Sequence, residues 1–196
     1  MDLILTVALR QFATLGYDGA TLRTINRELG VSHNLLYQRF GTKDDLWRAA
    51  VDYGFGGLVA HMQGIFDPTV TDPLEHLRRA VREFLVYAAA HPELLALMNA
   101  EGRQDTARLR YIYDTYIEPS QAQIVSLLAH LADLGTIRRI PHGAFFFLAV
   151  HGGAAPVTLG PLAAMLSSPT DDPVGIYEHA DLVSTILVEG LRMRGH

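Results

Sequence analysis

Cysteine is missing from the chain, lysine and tryptophan occur once each, and no apolar run approaches the length that crosses a bilayer. Each absence removes a class of function. Without cysteine there is neither a disulfide framework nor a thiolate metal site. Zinc would need histidines and carboxylates, but HExxH is absent. The pairs His142/His151 and His76/His91 lack ligand spacing, so no metal and no cofactor is expected. GxSxG, a phosphate-cradling loop and paired catalytic carboxylates are also missing, which argues against an enzyme. The start, MDLILTVALRQF, lacks the basic residues and long apolar stretch of a signal peptide. A cytoplasmic protein with no membrane partner is expected.

What is present suits a packed core: 196 residues, 49% apolar and only 19% charged. The net charge of −5 disfavours a general polyanion binder. Its distribution is uneven, because residues 1–48 carry six basic and five acidic groups, a net +1 that leaves −6 for the rest. Any nucleic-acid contact is therefore expected in the amino-terminal quarter.

Apolar residues recur at helical spacing throughout, without strand alternation, so the expected fold class is all-α. The first helix shows Ile4, Ala8, Phe12 and Leu15 on one face and ends at Gly16. Thr21 caps a short helix that buries Leu22, Ile25 and Leu29 and closes at Gly30. Ser32 caps the next, with Leu35, Leu36 and Phe40 inward and Gly41 as its stop. Thr42 then caps a long fourth helix with Asp44 and Asp45 in its first turn, where the helix dipole favours acids. Two short helices meeting across LGVS have the helix-turn-helix spacing, although any small three-helix bundle could share it. Longer helices follow. Asp72-Pro73 opens one that runs to about Ala90, and His91-Pro92 restarts the chain. A segment from about Asp105 to Leu134 is kinked or split at Pro119 and ends at Gly135. Pro141 opens another, and Asp172-Pro173 the last, to about Met193, after a surface loop at 167–172.

The stretch ALRQFATLGYDGATLRTINRELGVSHNLLYQRFGTKDDLW, residues 8–47, resembles the DNA-binding domain of the tetracycline-repressor (TetR/AcrR) family of bacterial transcriptional regulators. The matching positions are Ala8, Phe12, Gly16, Tyr17, Thr21, Ile25, Gly30, Val31, Ser32, Leu36, Tyr37, Phe40, Lys43 and Leu46. The resemblance implies a DNA-binding domain over residues 1–46 and a ligand-binding and dimerisation domain over 47–196. It also implies phosphate contacts from Tyr37, Lys43 and Thr21, which position the protein without reading sequence. A recognition helix offers short polar side chains to base edges from its first turn, here Ser32, His33 and Asn34. Arg23 and Arg39 are further candidates. The plainer readings are helix caps for Thr21 and Ser32, packing on the first helix for Tyr37, and a solvated surface amine for Lys43. The chain departs from the pattern at Asn26, Asn34 and Leu35, and its first helix starts almost at Met1, leaving little room for a minor-groove arm.

For the larger part, the resemblance implies a small-molecule effector and a homodimer formed through the last two helices. The last helix carries Ile176, Leu182, Val183, Ile186, Leu187 and Leu191, and its partner the small residues Gly152, Gly153, Ala154, Ala155 and Gly160. Such a pair would build a four-helix seam on a two-fold axis, or else an internal core pair. Ligand candidates are His61, Met62, Phe66, Tyr87, Met98, Tyr113, Phe147 and His151, a set suited to a largely apolar molecule. Gly54, Gly56 and Gly57 interrupt the fourth helix, either softening it or allowing a close neighbour. The expected function is a repressor released from a palindromic DNA operator by an effector. Alternatives are an activator, a corepressor-dependent regulator, or a binding module that has lost DNA.

Overall fold

The computed structural model describes residues 2–32, 34–65, 72–166 and 173–193, and the chain is all-α. Among these residues the only extended pairing is one isolated antiparallel bridge, Ile137 with Arg192. The helices are α1 (Asp2–Gly19), α2 (Leu22–Leu29), α3 (Leu35–Phe40), α4 (Lys43–Gln63), α5 (Pro73–Ala90) and α6 (Pro92–Glu101). They continue as α7 (Ala107–Ile112), α8 (Glu118–Asp133), α9 (His142–Phe147), α10 (Ala155–Thr158), α11 (Gly160–Met165) and α12 (Pro173–Leu191). Two π-helical turns, Tyr113–Ile117 and Leu148–Gly153, lie between α7 and α8 and between α9 and α10. No described helix is long and apolar enough to cross a membrane.

The chain divides into two compact units. The first joins residues 1–60 to 93–117, and the second joins 61–92 to 118–196. In the first unit α1 buries Leu5, Ala8, Leu9 and Phe12. Leu15, expected on that face, is exposed instead. The reason is Gly16: its φ of 70° and ψ of 170° kink the helix, and Tyr17 rather than Leu15 continues the packed side. Glu28 on α2 accepts from Arg10 and Gln11 of α1, fixing the two helices together. α4 buries Leu46, Trp47, Ala50, Val51, Gly54 and Phe55.

In the second unit α5 packs on α8 and α12, and the 148–153 turn touches both α5 and α12. Asp72 caps α5 by accepting from the Leu74 amide at 2.9 Å, with Pro73 just inside, as the sequence predicts. Gly135 ends α8 in the left-handed region, φ 69°. The helix expected from Pro141 is broken into α9, a π turn, α10 and α11. Asp172, expected to open α12, and the predicted loop at 167–172 lie outside the described residues.

Candidate nucleic-acid interface

The helix-turn-helix follows from local chemistry. Thr21 and Thr24 form a reciprocal cap: the Thr24 amide donates to Thr21 Oγ1 at 3.0 Å and the Thr21 amide to Thr24 Oγ1 at 3.1 Å. Gly30 closes α2 at φ 66°, and the Val31 amide donates to the Asn26 carbonyl at 3.1 Å. Ile25, Asn26 and Leu36 are fully buried beneath this turn. The polar residue at 26 is thus part of the core.

α3 begins at Leu35, later than a cap at Ser32 would place it. Asn34 already has helical angles, φ −97° and ψ −8°, and the Leu35 amide donates to the Ser32 carbonyl at 3.1 Å. The helix therefore starts about two residues after the position expected for its first turn. Asn34 stands at the cap position without a side-chain bond. His33 lies outside the described residues. Thr21, Arg23, Ser32, Asn34, Tyr37 and Arg39 all face solvent. Tyr37 is 66% exposed, so it does not pack on α1.

Thr42 caps α4 as expected, accepting from the Asp45 amide at 3.1 Å and donating to Asp45 Oδ2 at 2.5 Å. Lys43 follows, half-buried. Its Nζ donates to the Asp18 carbonyl at 3.4 Å and lies 4.4 Å from the centre of the Tyr17 ring. That ring stacks on Phe12 at 6.0 Å and meets Trp47 edge-on at 6.4 Å. Burial, then the Asp44 charge, raises the Tyr17 pKa, keeping the phenol neutral.

A second cluster continues along α4. Arg48 Nε donates to Asp44 Oδ2 one turn back at 3.0 Å, and its guanidinium lies 4.6 Å from the centre of the Tyr111 ring. Tyr111 and Tyr116 both donate to Asp52 Oδ1, each at 2.6 Å. Burial, then hydrogen bonding to Asp52, raises both phenol pKa values. In an unbroken α-helix residues five apart diverge by about 140°. The π turn 113–117 narrows that divergence, and both hydroxyls reach one carboxylate. Pro119 explains the turn's place, since it has no amide hydrogen to complete the α-helical ladder there. Sequence reading singled out none of Glu101, Arg108, Tyr111, Tyr116 or Asp52. The available signal was the five-residue spacing of the tyrosines just before Pro119.

The ligand candidates fall in both units. In the second unit the His61 and Tyr87 rings lie 4.8 Å apart at a tilt, His91 lies 4.3 Å from Tyr87, and His61 Nε2 lies 3.7 Å from Glu83. Met62 is half-buried. Phe147 and His151 stack at 5.4 Å, with Phe147 62% exposed. Met98 and Tyr113 belong to the first unit, and Phe66 lies outside the described residues. A groove of about 260 Å³ in the second unit is lined instead by Glu75, Arg78, Arg79, Arg82, Glu83, Asp181 and Ser184. None of the candidates lines it.

The α12 stripe divides between two faces. Leu182 and Ile186 are exposed, Val183 and Leu187 half-buried, and Leu191 buried. Gly152 is exposed and Ala155 half-buried. A Cβ at Gly153 would stand 3.0 Å from Val183 and 3.1 Å from Leu85, so that glycine serves close packing within the protomer. Gly153 and Leu191 are thus taken up within the protomer, while Leu182 and Ile186 face solvent.

Residues 4–50 match the sequence profile of the bacterial regulatory proteins of the tetR family. Solved structures share the fold over nearly the whole chain. The ketosteroid transcriptional regulator KstR2 of Mycobacterium tuberculosis is 18% identical, with a TM-score of 0.78 over 98% of this chain and 95% of its own. The fatty acid degradation regulator FadR from Bacillus halodurans is 21% identical, with 0.71 over 98% and 96%. The TetR family transcriptional regulator PfmR from Thermus thermophilus is 22% identical, with 0.68 over 99% and 97%. No curated protein matches the chain.

Proposed function

We propose that this chain, a member of the tetR family of bacterial regulatory proteins, is a ligand-responsive repressor that binds a palindromic operator as a homodimer. The observation carrying this reading is the solvent-facing set Thr21, Arg23, Ser32, Asn34, Tyr37 and Arg39, with Lys43 at the start of α4. Ser32, His33 and Asn34 read base edges, while Thr21, Tyr37 and Lys43 hold phosphates and Arg23 and Arg39 supplement them. Residues 1–46 do this work, and 47–196 carry the effector and dimer functions. A two-fold axis presents two recognition helices to two half-sites, and exposed Leu182 and Ile186 supply the apolar seam.

The effector is a small, largely apolar molecule bound by candidates among His61, Met62, Phe66, Tyr87, Met98, Tyr113, Phe147 and His151. The description of two similar folds as ketosteroid and fatty acid degradation regulators supports that class. Binding favours a conformer whose half-site spacing no longer fits the operator.

The test is selection of bound duplexes from a random pool, with Tyr37→Phe/Lys43→Ala as control. The expected result is a palindrome that the control fails to enrich. Folded protein that enriches no duplex at low salt overturns the reading, and enrichment only with added metabolite replaces it with a corepressor-dependent one.

A further inference from the structure

Arg108 is more than sixty residues beyond the recognition helix in sequence, yet it reaches the same tyrosine as Lys43. Its guanidinium carbon lies 4.1 Å from the centre of the Tyr17 ring. Its Nε donates to both carboxylate oxygens of Glu101, each at 3.1 Å. Glu101 is buried, its side chain only 5% exposed, and Thr106, the cap of α7, donates to the same carboxylate at 3.5 Å. A carboxylate withdrawn from water needs a partner, so Arg108 is fixed in place by the cost of leaving Glu101 alone. The ring that Arg108 covers is then fixed too, and that ring bounds the site of the Lys43 amine.

We infer that Arg108, held by Glu101, is a positioning residue for the DNA-binding face: it sets Tyr17, and through Tyr17 the Lys43 amine that meets a phosphate. This rests on the DNA-binding reading above. Two plainer roles compete with it. Arg108 could itself contact a phosphate, but its Nε is spent on Glu101, its side chain is only 27% exposed, and its charge is offset by that carboxylate. It could instead only tie α6 to α7, in which case Lys43 would not notice its loss.

Lys43 is the chain's only lysine, which gives a reporter without mutation. Reductive methylation with carbon-13 formaldehyde labels its amine and the amino terminus, and the Lys43 methyl resonance senses the Tyr17 ring. The variant is Glu101→Gln/Arg108→Gln, which keeps a hydrogen-bonded pair and leaves no unpaired buried charge. Arg108→Lys, which keeps a cation near the ring, serves as the conservative rescue.

In the double variant the Lys43 resonance should move toward that of a free dimethyl-lysine. Operator affinity should fall about fivefold, the size of one partly shielded cation–π contact. The slope of log affinity against log salt should not change, because no phosphate contact is removed. Arg108→Lys should recover most of both effects. An unmoved resonance in the double variant overturns the inference. So does a salt slope reduced by about one per half-site, which would make Arg108 a phosphate contact. Wild-type protein that binds no duplex is a different failure: it overturns the DNA-binding reading, and the positioning role with it.

Discussion

Gly54 and Gly56 lie two residues apart on α4, and the same substitution should have opposite effects at the two sites. A Cβ at Gly54 would stand 2.6 Å from Leu94 Cδ2 and 2.7 Å from Leu9 Cδ2, while one at Gly56 meets nothing within 4 Å. Both leucines are buried, Leu9 at 1% and Leu94 at 4% exposure, so each would have to give way by nearly an ångström into packed surroundings. Overpacking of this kind costs about 1–3 kcal/mol, against a gain of about 0.5–1 kcal/mol from replacing a helical glycine by alanine. Gly54→Ala should therefore lose about 1–2 kcal/mol. Gly56→Ala should gain about 0.5–1 kcal/mol, because only the propensity effect remains.

The assay is urea unfolding followed by the fluorescence of Trp47. That residue is the chain's single tryptophan and is fully buried in the first unit, so the signal reports the unit that holds both glycines. The midpoint should fall for Gly54→Ala and rise for Gly56→Ala with the slope unchanged. Equal shifts in the two variants would refute the steric argument, and so would any stabilisation by Gly54→Ala. The pair also separates the two meanings proposed for these glycines. Gly54 is required by its neighbours, so if flexibility of α4 matters to effector response, it resides at Gly56 and Gly57 rather than at Gly54. Operator release by effector should weaken in Gly56→Ala while operator affinity stays unchanged.

Other consequences concern charge, pH and assembly. Lys43→Ala should lower affinity for every duplex alike and reduce the salt slope by about 0.9 per half-site, measured by titration across a salt series. Leu182→Glu/Ile186→Glu should give a folded monomer in sedimentation; a persistent dimer would remove these exposed residues from the interface. Tyr111 and Tyr116 hold their protons more tightly in the folded chain, first through burial and then through Asp52. The stability they add is complete below the ordinary tyrosine value of about 10 and is lost as pH rises past it. Asp52→Asn should bring the last tyrosines to ionise back toward that value, as read by phenolate absorbance. It should also cost about 1–3 kcal/mol at neutral pH through weakened charge-assisted bonds.

The amino-terminal architecture was legible because each signal there is local. Thr21, Gly30, Gly41 and Thr42 act on backbone groups within four residues, and Ile25 and Leu36 repeat at helical spacing. The misplaced start of α3 and the exposed Leu15 mark the limit of such signals. In both cases a turn or kink shifts the face by a residue or two, and the pattern alone does not register the shift. The contacts of residues 101–116 with α1 and α4 were not legible for a different reason. Arg108 with Tyr17, and Tyr116 with Asp52, are joined across 91 and 64 residues of chain, and nothing in the spacing names either partner. The ligand candidates divide between the two units for the same cause, since aromatic composition does not say which unit a residue will join.

These long-range contacts converge on α4 at regular intervals. Asp44, Arg48 and Asp52 stand four residues apart, one turn each, and so share a face. Along it Asp44 pairs with Arg48, Arg48 covers Tyr111, and Tyr111 and Tyr116 close on Asp52. Tyr111 touches two of these turns at once, and Trp47 meets both Tyr111 and Tyr17. A displacement of residues 107–117 therefore cannot be confined to one contact: moving Tyr111 must disturb Arg48, Asp52 and Trp47 together. Trp47 in turn borders the ring that holds Lys43. The first unit thus couples the start of α4 to a π-helical turn whose two tyrosines, Tyr111 before it and Tyr116 within it, share a single carboxylate. Asp52→Asn should accordingly shift the Lys43 methyl resonance as well as the tyrosine titration, and a shift in the titration alone would show that the contacts do not act as one body.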